Sequence, residues 1–149
     1  MNHIFKKLFC LLLLSASNAA NHPWTNGLEV YAGAFDFEHS DRYFMLGANY
    51  IYGPEKILSP KISAFVSDHD MFFVGIGPRL KYKRVYVSIG PGYYHQGTGF
   101  DLGYDLEFKS EIGYQVAKNI NVGIFHLSNA GISDTNPGIN AAFISFTGF

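Results

Sequence analysis

His126 and Ser128 stand two residues apart within the run His126-Leu127-Ser128-Asn129-Ala130-Gly131. On a strand, side chains alternate between faces, so this spacing projects the imidazole and the hydroxyl from the same side. That pairs a candidate base with a candidate nucleophile. Serine needs such a neighbour because its hydroxyl is a weak nucleophile at neutral pH until a base can take its proton. Asn129, Ala130 and Gly131 follow at once, and such a segment can offer donors to an oxyanion. By itself His-x-Ser is a weak signal. The bland alternative is a hairpin loop from Asn129 to Gly138 in which Asn, Gly and Pro satisfy turn geometry, with His126 and Ser128 as interfacial polar residues.

The elements that would position this pair belong to an exported chain. Lys6 and Lys7 precede the apolar run Leu8 to Leu14, and Ser17-Asn18-Ala19 supplies small residues for cleavage. Residues 1–19 therefore read as a secretory signal and residues 20–149 as one domain. Seven apolar residues are far short of the roughly 20 needed to cross a bilayer as a helix. Acylation at Cys10, which lacks small residues before it, is a minor alternative. Cys10 is the one cysteine, so beyond the signal there is no thiol for a disulfide, a thiol enzyme or a cysteine metal site.

Without the two signal lysines, nine basic and twelve acidic residues remain, a net charge of about −3 that gives no electrostatic footprint for nucleic acid. The cluster Arg79, Lys81, Lys83 and Arg84 reads as a solvated turn. Sixteen glycines and an aromatic fraction of 17% suit the curvature and aromatic girdles of a barrel, and a soluble sandwich uses them too.

Alternation and turn residues divide the exported part into eight β segments: Leu28 to Phe37, Arg42 to Gly53, Ser59 to Ser67, Met71 to Lys81, Arg84 to His95, Leu102 to Val116, Asn121 to Asn129, and Asn140 to Phe149. Most breaks are short, which predicts antiparallel neighbours. The expected fold is all-β, an eight-stranded antiparallel transmembrane barrel. Lipid cannot satisfy an unpaired backbone group, so strands that cross it must close on themselves. The aromatic Phe149 agrees with outer-membrane assembly, although Thr147 and Ser145 hold the alternate positions before it. A soluble lipocalin-like barrel is the runner-up.

With the first segment starting in the periplasm, the odd-numbered connections lie outside the cell, and His126 and Ser128 lie near the outer leaflet. Val122, Ile124, His126 and Ser128 share one face of the seventh segment. Asn140, Ala142, Ile144 and Phe146 share one face of the eighth. Their apolar members mark these as lipid-facing walls, so a polar group at the top of them would address a substrate that is itself a lipid.

The run His126 to Gly131, followed by Asn136-Pro137-Gly138, resembles the signature of the lipid A 3-O-deacylase (PagL) family. The resemblance is strongest over residues 126–140. It implies that Ser128 attacks the ester at position 3 of the glucosamine of lipid A, that His126 is its general base, and that Asn129 to Gly131 help hold the oxyanion. Lipopolysaccharide would be the substrate, the outer membrane of a Gram-negative bacterium the location, and no metal or organic cofactor is implied. Well-known members place a glutamate after Asn-Pro-Gly-x to orient the histidine. Asn140 stands there in this chain. An acid-to-amide change lowers the turnover of serine proteases by roughly 10⁴, yet Cys-His-Asn enzymes use an amide carbonyl as the orienter. Asn140 is therefore the expected third member, with Asp134 the weaker candidate, and Phe108 corresponds to a family aromatic on the preceding strand.

His39, His69 and His95 fall at turns without close metal-ligand spacing, and a divalent ion at Asp68-His69-Asp70 is a minor alternative. Tyr93-Tyr94 and Tyr50 to Tyr52 are expected as girdle residues at headgroup level rather than a ligand stack. Against the esterase stand a noncatalytic structural or adhesive barrel and a degenerate relative that lost turnover at Asn140. A homodimer is left open.

Overall fold

The computed structural model describes residues 27–35, 43–132 and 138–147. Eight strands follow in chain order: β1 (Leu28–Phe35), β2 (Tyr43–Ile51), β3 (Leu58–Ser67), β4 (Phe72–Tyr82), β5 (Val85–His95), β6 (Leu106–Ala117), β7 (Ile120–Ser128) and β8 (Ile139–Thr147). Each pairs antiparallel with its neighbours, and β1 pairs with both β2 and β8 to close the barrel. Closure leaves no strand edge in need of partners. The expected signal, Phe149, and the Asp134, Asn136 and Pro137 positions lie outside the described residues.

The polarity of the wall decides between the two barrels the sequence left open. Outward positions carry a belt of exposed Val74, Ile76, Leu80, Val87, Ile89 and Ile112. A soluble barrel would hide such a surface and keep an apolar cavity inside. Here the interior is filled and, in one half, charged. Lys61 Nζ lies 2.7 Å from Glu111 Oε1, and Lys109 Nζ lies 2.8 Å from Glu111 Oε2. Glu29 accepts from Asn49 at 2.6 Å and from Asn121 at 3.1 Å. The other half, beneath the longer connections, is an aromatic plug. Phe65 stacks on Phe73 and Phe125 with centroids 5.6 and 5.8 Å apart, and Phe35 meets Phe125 edge-on at 5.7 Å. Aromatic pairs of this kind each add about 0.5–1.5 kcal/mol beyond area burial.

Two expectations are corrected by this interior. Arg79 is not part of a solvated turn, because the strand period turns it inward, where its guanidinium lies 4.3 Å from the Tyr86 ring centroid. Tyr94 is not a girdle residue for the same reason, and its hydroxyl donates to the Phe100 carbonyl at 2.8 Å inside the barrel. The sixth segment also begins later than expected, at Leu106 rather than Leu102. Asp101 Oδ1 accepts from the Gly103 N–H at 2.8 Å, Gly103 has φ +81°, and Leu102 is drawn into the core, so the chain turns where the alternation suggested a strand.

Candidate active site

The site is built on the outer wall where β6, β7 and β8 run side by side. In the strand register His126 is opposite Asn140 on one side and Ser110 on the other. All three are exposed. Ser128 lies two residues further along the same face, about 7 Å by strand geometry, half-buried and directly opposite Phe108. The period-two pattern thus gathers the expected His126, Ser128 and Asn140 on one patch, with Phe108 beside the serine.

His126 Nδ1 and Asn140 Oδ1 are 2.9 Å apart. An amide oxygen can only accept, so Nδ1 carries a proton, and in the neutral ring Nε2 is then the nitrogen with the lone pair. Asn140 does what an orienting residue must do to the ring, without supplying a negative charge. The sequence offers Gly138 as a turn residue and as part of the Asn136-Pro137-Gly138 motif, with no role at the histidine, yet it roofs the imidazole. A Cβ there would sit 2.5 Å from His126 Cε1 and 2.8 Å from Nε2, and its φ is +59°. Both facts demand glycine. Ser110 was likewise not singled out, because its place beside the histidine exists only in the strand register.

The turn after Ser128 is held from within. Asn129 is fully buried; its Nδ2 donates to the Leu102 carbonyl at 2.9 Å, and its Oδ1 accepts from the Gly131 N–H at 2.9 Å. Ala130 and Gly131 take positive φ, +55° and +79°. Of the three expected oxyanion residues, Gly131 has its N–H committed inside the turn and Asn129 has its side chain turned inward. The Ala130 N–H is a remaining candidate donor.

Elsewhere, His69 Nδ1 lies 3.0 Å from Asp68 Oδ1, and its ring packs on Tyr43 with centroids 4.2 Å apart. No group of three metal-ligating side chains forms among the described residues.

A closed barrel with an apolar outer belt, a plugged interior and polar residues on its outer wall defines a membrane-embedded barrel protein. The chain belongs to the lipid A 3-O-deacylase (PagL) family, whose model matches residues 19–147. It is thus an outer-membrane barrel of a hydrolase family that acts on lipid A. Among solved structures it is similar to the crystal structure of the outer membrane enzyme PagL, at 19% identity and TM-score 0.50 over 80% of this chain and 97% of that one. It is similar to the de novo designed transmembrane barrel TMB2.3, at 17% identity and TM-score 0.52 over 82% and 94%. Another designed transmembrane barrel aligns at 19% identity and TM-score 0.51 over 81% and 94%. At these identities the likenesses speak for the fold alone. No curated protein shows significant sequence similarity to the chain.

Proposed function

We propose that this chain removes the acyl chain esterified at position 3 of lipid A, with Ser128 as nucleophile, His126 as base and Asn140 as the residue that orients the base. The observation that carries this reading is the 2.9 Å contact between His126 Nδ1 and Asn140 Oδ1 on the same outward face as Ser128. Inside a barrel such residues could serve packing. On a wall that faces lipid they are costly unless used.

In this reading residues 1–19 are removed on export, residues 20–149 form the barrel, and the longer connections face outside the cell. That puts the site in the outer leaflet, where lipid A resides. The Ser128 oxygen bonds to the acyl carbon as its proton passes to His126 Nε2. The carbon–oxygen bond to the sugar then breaks, and the imidazolium returns the proton to the departing sugar oxygen. Water, deprotonated by the same imidazole, releases the fatty acid and restores Ser128. In this reading the Ala130 N–H is the donor assigned to the charge that develops on the carbonyl oxygen. Two residues below His126 and Asn140 begins an outward apolar groove of about 1530 Å³, lined by Ile124, Ala142, Ala34 and Phe44 among others. It is a surface along which the scissile chain can lie.

Ser128→Ala and His126→Ala are each expected to abolish release of the 3-linked acyl chain, by at least about 10³ in turnover, while the barrel still shows heat-modifiable migration. Mass analysis of lipid A from cells with and without each variant is the measurement. Undiminished deacylation by folded Ser128→Ala removes the assignment and returns the chain to a noncatalytic barrel.

A further inference from the structure

Beside the site, the β5–β6 connection forms a second groove, of about 530 Å³, lined by Tyr93, Gln96, Asp101, Tyr104, Asp105 and Leu106. Tyr93 and Tyr104 are about half exposed, at 49% and 52%, and the Asp and Gln side chains face water at the rim. Exposed tyrosine rings next to carboxylates and an amide match the two faces of a sugar. The rings can cover the apolar C–H face, and the carboxylates and amide can accept from hydroxyl and amide donors.

Two features tie this groove to the chemistry. Leu106 lies two residues beyond Phe108, the direct partner of Ser128, and Tyr93 is the partner of Leu106 one strand further on. Strand geometry then puts Leu106 about 8 Å and Tyr93 about 12 Å from Ser128, the span of a disaccharide rather than of one ring. The loop is also fastened to the motif, because the Leu102 carbonyl accepts the Asn129 side chain.

We infer that this groove is a sugar subsite: when the glucosamine bearing the scissile ester sits at Ser128, the second glucosamine of the lipid A backbone rests against Tyr104 and Tyr93. The inference rests on the proposed function for its substrate. The two carboxylates repel phosphate, so the sugar edge that enters is one carrying hydroxyl or amide donors, with phosphates left in the headgroup layer. The groove acts on specificity by holding the ester in register, not by touching the reacting atoms.

Binding and turnover separate this inference from the catalytic one. In the Ser128→Ala barrel, held in detergent, titration calorimetry should show the O-deacylated glucosamine disaccharide phosphate binding about tenfold more tightly than the corresponding monosaccharide phosphate. Adding Tyr104→Ala should erase that difference, and Tyr104→Phe, which keeps the ring, should restore it. With Ser128 intact, Tyr104→Ala should raise KM about tenfold for disaccharide lipid A, with kcat unchanged, and leave KM unchanged for a 3-O-acylated monosaccharide. Heat-modifiable migration confirms that each variant is folded. Equal binding of the two sugars, no sugar binding, or an equal effect of Tyr104→Ala on both substrates overturns the subsite. Tyr104-dependent disaccharide binding, together with no acyl release by the barrel that keeps Ser128, sinks the esterase reading and keeps the subsite.

Discussion

Asn140 separates the roles that a carboxylate would combine. Its oxygen, 2.9 Å from His126 Nδ1, sets the tautomer and holds the ring. It lacks the charge that would stabilise the imidazolium formed if Ser128 attacks as proposed. Asn140→Ala should therefore lower turnover by freeing the ring, on the order of 10–100-fold, while Asn140→Glu should preserve or raise it. Purified variants compared on one lipid A preparation check both. Full activity in Asn140→Ala with no gain in Asn140→Glu would make Asn140 a hairpin residue and send the search to Asp134.

The β7–β8 hairpin and the β5–β6 loop behave as one unit because Asn129 joins them. Its amide satisfies the Leu102 carbonyl while its carbonyl oxygen holds the Gly131 N–H. Truncation strands the buried Leu102 carbonyl, which costs about 1–3 kcal/mol, while the Gly131 N–H, on an exposed residue, can turn to water. Asn129→Ala should lower the unfolding midpoint in detergent and reduce turnover together, since Ser128 is the adjacent residue. An unchanged midpoint with full activity would show that loop and motif are independent. Alternation and turn residues read these strands well, β5 to within one residue at one end, yet missed four residues of the β5–β6 loop. Leu102 continues the apolar pattern of a strand while serving as a plug.

At the scale of the whole barrel, the interior charges turn a tube into a solid support for the wall. Glu111 stands between Lys61 and Lys109, and its side chain is fully inaccessible to solvent. The contact to Lys109 is Coulombic rather than a well-aligned hydrogen bond; that ammonium also sits 4.4 Å from the Phe125 ring centroid. Removing Glu111 leaves two buried cations facing each other. Glu111→Ala should cost roughly 3–5 kcal/mol, whereas replacing all three residues with apolar ones of similar volume should recover most of it. Unfolding midpoints in detergent measure the difference, and an unaltered Glu111→Ala barrel would show that the ion cluster contributes nothing to stability.

What the sequence by itself determined follows from short-range rules. Period-two alternation set eight strands and their two faces, and it placed His126 with Ser128 and Asn140 with Ala142 and Ile144, because the pleat alone decides which side chains share a side. The resemblance to the family motif added which of those residues we propose for chemistry. What only the tertiary structure decided depends on register and closure, which no local pattern encodes. The pairing of β7 with β8 brings Asn140 to His126 across fourteen residues, and the pairing with β6 brings Ser110 and Phe108 beside them. Closure separates inside from outside, so Arg79 and Tyr94, polar by type, are buried in the barrel while Ile112 and Ile124 face out. Gly138 shows the same limit at the site: the sequence marks it as a turn residue, and only the fold sets an imidazole where its side chain would have been.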